Sequence, residues 1–159
     1  MNKKISSFEV NHDVLLPGIY VSRQDRYNNE WVTTFDLRMT IPNKEEVMET
    51  DGIHTLEHLG ATYFRNDLIF KNKIMYFGPM GCRTGFYLMV FGKYEPLDVI
   101  NVVRQMFEFI KEYVGNIPGV SSRECGNYLD HNLIKAKEYA NSYLKLLNNI
   151  KPENLKYNE

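Results

Sequence analysis

The stretch W-V-T-T-F-D-L-R-M-T-I, residues 31–41, decides the fold. Its large apolar side chains fall on one parity, and polar side chains such as Asp36 and Arg38 fall on the other. Alternation with a period of two, in a run rich in aromatic and β-branched residues, predicts a half-buried β-strand that ends at Pro42. The apolar parity consists of Trp31, Phe35, Leu37, Met39 and Ile41.

The segments on both sides of this strand complete the predicted sheet and cover one of its faces. Strand-like runs predict three more strands, and helix-forming composition with apolar spacings of three and four predicts three helices. Four antiparallel strands with long helices packed on one face form a two-layer α+β sandwich, here a single domain over 1–159. The additional strands are expected at 18–23, 74–77 and 84–91, and the helices at 53–65, 97–114 and 131–147.

Composition excludes several functional classes. The chain has 159 residues, of which 43% are hydrophobic, enough for one domain with its own core rather than a disordered chain. Lys plus Arg is 19 and Asp plus Glu is 20, and this balance argues against nucleic acid as a partner. No apolar run approaches the roughly 20 residues of a membrane span. The polar segment Met1–Val10 lacks the centre of a signal peptide, so we expect a cytoplasmic protein without a membrane partner.

A candidate metal site lies in the first predicted helix, in the segment His54-Thr55-Leu56-Glu57-His58. Residues four apart share a helix face, and position 57 lies next to it, so two imidazoles and one carboxylate converge. Two histidines at this spacing bind a transition metal, and the carboxylate beside them transfers protons. The H-x-x-E-H order also marks inverzincin metallopeptidases. The plainer alternative is a helix face with two solvated histidines.

Such a metal site needs a third protein ligand. Cys125 is one candidate, because it precedes a predicted helix whose N-terminus would favour the thiolate. His131 competes with it, and Cys82 and the carboxylates are further candidates. A structural disulfide between the two cysteines is not expected in a cytosolic chain. Both cysteines could instead be small buried hydrophobes.

Cys82 lies in the turn G-P-M-G-C-R-T-G, residues 78–85. The glycines let other groups approach the backbone closely, and the neighbouring Arg83 would favour a thiolate. Cys82 is therefore a candidate nucleophile or general base. The alternative is a turn residue without a chemical role.

Five separate blocks of the sequence resemble the S-ribosylhomocysteinase (LuxS) family and follow one another in the same order as in that family. The resemblance runs from about Ser7 to Ala140, and separated blocks in a common order are far more specific than the histidine pentad alone. The blocks are S-F-E-V-N-H (7–12), F-D-L-R with the following P-N-K (35–44), G-I-H-T-L-E-H-L (52–59), P-M-G-C-R-T-G-F-Y (79–87) and E-C-G (124–126) followed by His131.

The resemblance implies a lyase that cleaves S-ribosylhomocysteine to homocysteine and 4,5-dihydroxy-2,3-pentanedione. The first product feeds the activated methyl cycle, and the second is the precursor of autoinducer-2 in quorum sensing. It also implies a homodimer with active sites at the interface and one divalent metal per chain, iron(II) in the cell with zinc or cobalt as substitutes. By the same resemblance the metal ligands are His54, His58 and Cys125, the acid–base residues are Glu57 and Cys82, and the substrate contacts are Ser7, His12 and Arg38.

The chain departs from the family pattern beside the Cys82 turn. The family usually has Asp-x-Ser before Pro-Met-Gly-Cys, whereas this chain has Tyr76-Phe77-Gly78, and Asn11 replaces an aspartate before His12. The family's aspartate contacts the homocysteine end of the substrate, and Tyr76 brings no charge to that position. We therefore expect altered substrate recognition at Tyr76, and the alternative is that another carboxylate compensates. A non-catalytic metal-binding homologue is the main alternative, and a metallopeptidase is a weaker one.

Overall fold

The strand that the alternation predicts is one of the two central strands of the sheet. The computed structural model describes residues 3–158, and this strand, β2, runs from Glu30 to Arg38. It ends three residues earlier than predicted, because the backbone N–H groups of Met39 and Thr40 both donate to the carbonyl of Thr84. The preceding elements are a short helix α1 (Ser6–Glu9) and strand β1 (Gly18–Tyr27).

The sheet is antiparallel throughout, as predicted, with strand order β1-β2-β4-β3. The two remaining strands are β3 (Ile74–Pro79) and β4 (Gly85–Phe91). Phe35 and Leu37 of β2 are fully buried and face the helices. Asp36 and Arg38, on the opposite parity, are also buried, so the prediction of a half-buried strand is wrong at this end of β2.

Three long helices pack on one face of the sheet, which confirms the α+β sandwich. They are α2 (Thr50–Asn66), α3 (Pro96–Glu112) and α4 (Leu133–Leu147). A side chain at Gly60 of α2 would overlap the ring of Phe77 on β3, so this glycine allows α2 to lie close to the sheet. The position of α2 matters because it carries the histidine pentad.

The other face of the sheet is covered by the two ends of the chain. Residues 6–12 lie against this face near Arg38, and so does Tyr157, which follows a single 3₁₀ turn at Pro152–Asn154. Sequence periodicity gave no signal for either covering segment. No helix within residues 3–158 is long and apolar enough to cross a membrane.

Candidate metal centre and substrate cavity

Helix α2 and the loop before α4 bring four potential metal ligands together. His54 and His58 come from one face of α2, and Cys125 and His131 come from the loop. One ligand atom from each side chain lies within 4.8 Å of the others. The alternative of two solvated histidines on an open helix face is therefore wrong.

Backbone carbonyls orient both helix histidines. Nδ1 of His54 lies 2.9 Å from the carbonyl oxygen of Asp130, and Nδ1 of His58 lies 2.7 Å from that of Pro118. A carbonyl accepts only from an N–H, so each Nδ1 carries the proton and each Nε2 presents a lone pair. This is the arrangement in which histidines ligate metals through Nε2, with the other nitrogen held by a backbone acceptor.

Cys125 adds a sulfur donor to this group, although its surroundings differ from those predicted. Its Sγ lies 3.4 Å from Nε2 of His54, close to the about 3.6 Å between nitrogen and sulfur ligands of a tetrahedral zinc site. It lies in a turn region, eight residues before α4 begins, so the expected helix start beside it is wrong. The thiol is partly exposed and free, as is that of Cys82, which contradicts the reading of both as buried hydrophobes.

His131 lies outside α4, because the helix is capped by the side chain of Asn132 and begins at Leu133, and not at 131 as predicted. Its ring stacks on that of His54, with ring centroids 3.9 Å apart. Burial, reinforced by the neighbouring histidines, lowers the pKa of His131 to about 4, so its ring is neutral at pH 7. Nε2 of His131 is buried and has no hydrogen-bond partner within the described chain.

The donor set fits one divalent transition metal. Two or three imidazoles and a thiolate are ligands typical of zinc and of other late first-row metals. Glu57 lines the same open cavity as His54, His58 and Cys125, and it projects from the same helix. The site therefore combines a metal-binding set with an adjacent carboxylate, as the pentad predicts.

A second cavity, the outer cavity, has a volume of about 260 Å³ and lies on the face of the sheet opposite to the three long helices. It contains Cys82, and the guanidinium of Arg38 approaches the thiol, with 3.8 Å between Nη1 and Sγ. Ser7 and His12 also line this cavity, so the residues suggested by the family resemblance lie together there. The sequence had pointed to Arg83 as the cation next to Cys82, but the guanidinium that the structure places against the sulfur is that of Arg38.

Arg38 is buried because its surroundings leave space for it and supply a counterion. In the sheet register it lies between Gly18 of β1 and Gly85 of β4, neither of which has a side chain. Asp36 accepts two hydrogen bonds from the guanidinium, at 2.6 and 3.1 Å. Burial alone would lower the pKa of Arg38, but the Asp36 carboxylate outweighs it, and the net shift is upward.

Tyr76 lies on the same outer face and lines an adjoining cavity, which shares Ser7, Ser22 and Tyr87 with the first. Its side chain is about half exposed, at 47%, and a Cβ atom added to Gly78 would overlap the Tyr76 ring. Tyr76 and Gly78 therefore form one steric unit. The two departures from the family's Asp-x-Ser are linked, because the tyrosine ring occupies the space that a serine side chain would need.

Among the residues in and next to the outer cavity that had not been selected from the sequence, three matter most. Asp36 holds Arg38, Thr84 accepts a hydrogen bond of 2.6 Å from Nη1 of Arg38, and Tyr157 closes the cavity from the C-terminal end. Asp36 and Thr84 lie inside the quoted family blocks, and this position is the sequence signal that could have marked them as part of the site. Tyr157 was outside every block, and nothing local marked it.

Comparison with known proteins identifies the family. A family model described as S-Ribosylhomocysteinase (LuxS) matches residues 5–154. The chain belongs to this family. A protein named S-ribosylhomocysteine lyase from Finegoldia magna is 56% identical over 156 residues, which cover 98% of this chain and 99% of the relative. A relative of the same name from Borrelia garinii subsp. bavariensis is 54% identical over 155 residues, which cover 98% of this chain and 99% of the relative. Another from Clostridium acetobutylicum is 50% identical over 157 residues, which cover 99% of both chains.

The candidate acid–base residues of this S-ribosylhomocysteinase-family chain, Glu57 and Cys82, lie in two separate cavities. Within residues 3–158, the cavity with Glu57 and the cavity with Cys82 share no lining residue. They lie on different sides of the sheet, because Asp36 and Arg38 have the parity opposite to that of Phe35. A single chain therefore does not bring Glu57 and Cys82 into one cavity.

The ligand set leads to a test of metal content. Replacing Cys125 with alanine removes the thiolate, so we expect Cys125→Ala to retain less than about a tenth of the bound metal, because a tetrahedral site rarely survives the loss of a charged ligand. His12→Ala, which changes a histidine in the other cavity, is the control and should keep its metal. Metal analysis of anaerobically purified protein measures both. Full occupancy in Cys125→Ala would reject Cys125 as a ligand and favour His131.

Proposed function

We propose that this chain is an S-ribosylhomocysteine lyase, which cleaves that small molecule to homocysteine and 4,5-dihydroxy-2,3-pentanedione. The observation that carries the proposal is the placement of Glu57 in the same cavity as His54, His58 and Cys125. The names of relatives 50–56% identical over nearly the whole chain support it. Neither the metallopeptidase nor the non-catalytic alternative has comparable support.

The reaction must make an unreactive thioether into a leaving group. In the open-chain sugar the carbonyl begins at C1, and two successive shifts move it to C3. The proton on C4 is then acidic, because it lies next to the carbonyl. Its removal expels the sulfur from C5 by β-elimination, and tautomerisation of the resulting enol gives the diketone. No external oxidant or reductant is needed, because each shift only relocates hydrogen.

Each carbonyl shift removes one proton and adds another, so the site needs acid–base groups placed around the substrate. We assign these roles to Glu57 and to Cys82, a carboxylate and a thiol that can each accept and return a proton. A divalent cation held by His54, His58 and Cys125 would supply Lewis-acid stabilisation of negative charge on the substrate oxygens. We propose iron(II) as the ion used in the cell, with zinc or cobalt as substitutes.

The polar lining of the outer cavity suits a sugar. Arg38 and His12 can donate hydrogen bonds to hydroxyl and carbonyl oxygens, and Ser7 can both donate and accept. Nδ1 of His12 lies 2.8 Å from the carbonyl of Val10, which leaves its other nitrogen for the substrate. We assign substrate binding to these three residues and to Tyr76, whose cavity adjoins theirs.

We further propose that the enzyme acts as a homodimer, in which the cavity containing Cys82 of one chain faces the metal cavity of the other. The separation of the two cavities within one chain supports this arrangement, because the reaction needs the cation and both acid–base groups at one substrate. Free thiols at both cysteines agree with a reducing compartment, and we propose the cytoplasm. There the products would serve methyl recycling and autoinducer-2 synthesis.

Proton transfer by Glu57 and Cys82 is testable with conservative variants. Glu57→Gln and Cys82→Ala should each lower turnover by at least about 10²-fold, because each removes one acid–base group. Both should keep their metal, since neither residue is assigned as a ligand. Thiol release from S-ribosylhomocysteine, followed with a thiol reagent, measures turnover. Near-normal release by Cys82→Ala would exclude this role for the thiol.

Mixing the two inactive variants tests the shared site. In a dimer with one Glu57→Gln chain and one Cys82→Ala chain, one site carries both changes and the other carries neither. Random exchange of subunits should therefore restore about a quarter of wild-type turnover, as expected for two-fold symmetric interface sites. A mixture of Glu57→Gln with His58→Ala, both in the metal cavity, is the control and should stay inactive. No recovery in the first mixture after confirmed subunit exchange would contradict shared sites.

The departure at Tyr76 leads to a prediction about substrate affinity. Tyr76→Asp combined with Gly78→Ser restores the family's pair and adds a carboxylate for the substrate ammonium. A charge-assisted hydrogen bond contributes roughly 1.5–3 kcal/mol, so kcat/KM should rise about ten- to a hundredfold, mainly through a lower KM. Tyr27→Asp, in the exposed β1–β2 hairpin, is the control. Unchanged kcat/KM in a folded, metal-loaded double variant would show that the ammonium binds elsewhere.

A further inference from the structure

The C-terminal segment of the chain is anchored against the outer face of the sheet. Asn154 is buried, its side-chain nitrogen donates to the carbonyl of Pro17 at 2.9 Å, and its side-chain oxygen accepts from the backbone of Lys151 at 3.0 Å. A side chain at Gly18 would overlap the carbonyl of Asn154, so the 3₁₀ turn lies directly against β1. This anchoring fixes where the next residues of the tail lie.

Tyr157 follows this turn and is held by two contacts. Its ring stacks on that of Tyr20, with centroids 4.6 Å apart and an interplanar angle of 14°. Its hydroxyl donates to Oδ2 of Asp36 at 2.8 Å. Burial first, and the Asp36 carboxylate second, raise the pKa of Tyr157, so the hydroxyl keeps its proton and acts as a donor.

The carboxylate that Tyr157 contacts is the one that positions Arg38. Oδ2 of Asp36 accepts from both Tyr157 and Nη2 of Arg38, and Oδ1 accepts from Nε of Arg38. The remaining nitrogen of Arg38 donates to Thr84 and approaches the sulfur of Cys82. The contacts thus form a continuous series from the tail hydroxyl, through Asp36 and Arg38, to the thiol.

Because Asp36 and Arg38 are buried, the position of the Arg38 guanidinium depends on every hydrogen bond in this series. Asp36 and Arg38 are only 2% and 3% exposed, and a buried ion pair is stable only when its remaining hydrogen-bonding positions are satisfied. Tyr157 supplies one of these hydrogen bonds and also separates the carboxylate from water. Without the hydroxyl, Asp36 has a free acceptor site, which water or a rearranged Arg38 would fill.

We propose that Tyr157 is a positioning residue for the reaction, which acts through Asp36 to hold the Arg38 guanidinium against Cys82. The proposal rests on the function proposed above for its catalytic consequence, but the positioning of Arg38 is independent of it. It assigns a role in the Cys82 cavity to a residue outside the sequence blocks that mark the family.

The test uses Tyr157→Phe, which keeps the stacked ring and removes only the hydroxyl. Because Nη1 of Arg38 lies against the Cys82 sulfur and stabilises negative charge on an attacking sulfur, loosening Arg38 should slow alkylation of Cys82 by iodoacetamide about three- to tenfold. Peptide mass spectrometry distinguishes Cys82 from Cys125. The kcat for thiol release should fall by a similar factor, while metal content stays unchanged. Tyr27→Phe, which removes an exposed tyrosine hydroxyl, is the control and should behave as wild type.

An Asp36→Asn background provides a second, more specific readout. If Tyr157 acts through the Asp36 carboxylate, the hydroxyl loses its effect there, and Tyr157→Phe should add no further slowing of alkylation. Alkylation is measured without substrate, so it reports on the proposed positioning even if the lyase assignment fails. Equal alkylation rates in Tyr157→Phe and Tyr27→Phe would overturn the proposal, whether or not Asp36→Asn folds.

Discussion

The buried ion pair between Asp36 and Arg38 is the interaction on which the outer half of the molecule depends. A buried guanidinium is tolerated only with a counterion and with acceptors for its other N–H groups, and the carboxylate of the pair needs a donor for its free lone pairs. Asp36, Thr84 and Tyr157 supply these groups, and Gly18 and Gly85 supply the space. The two ends of the chain must then cover this face. The cavity around Cys82 lies between these covering segments and the sheet.

The candidate metal centre depends on a different constraint, which is the orientation of two imidazoles by backbone carbonyls. Residues four apart on α2 bring His54 and His58 to one face, but their rings would still rotate freely. The carbonyls of Asp130 and Pro118 hold the rings and select the tautomer that presents Nε2. These carbonyls belong to the same irregular loop that carries Cys125. The loop therefore provides two potential ligands, Cys125 and His131, and orients the two histidines of α2.

The sequence predicted those features that depend on local periodicity. The alternation around Phe35 identified a central strand, and the spacing of the pentad placed His54, Glu57 and His58 together. The sequence was a poorer guide to features that depend on contacts between residues far apart in the chain. Cys125 seemed to precede a helix, but the segment is a turn region held by hydrogen bonds to α2. Arg83 seemed to be the cation beside Cys82 because it is adjacent in sequence.

Burial of the polar face of β2 could not be predicted for a related reason. Alternation shows which residues share a face, but not whether another segment covers it. The covering segments are one helical turn at Ser6–Glu9 and one 3₁₀ turn before Tyr157, both too short for a periodic signal. The family resemblance marked Arg38 as functional, yet the residues that hold it in place, Asp36 and Tyr157, became visible only through their contacts.

The same network bears on how the chain receives a substrate ammonium. Asp36 is the only carboxylate among the described residues lining the outer cavity, and the adjoining cavity beside Tyr76 has none. Its oxygens are already engaged by Arg38 and Tyr157, so releasing one to an ammonium would expose the buried guanidinium. The exchange of Asp-x-Ser for Tyr76-Phe77-Gly78 is therefore not offset by a free carboxylate nearby. Recognition of that end of the substrate must come from hydroxyl groups, from the face of the Tyr76 ring, or, in the proposed homodimer, from the second chain.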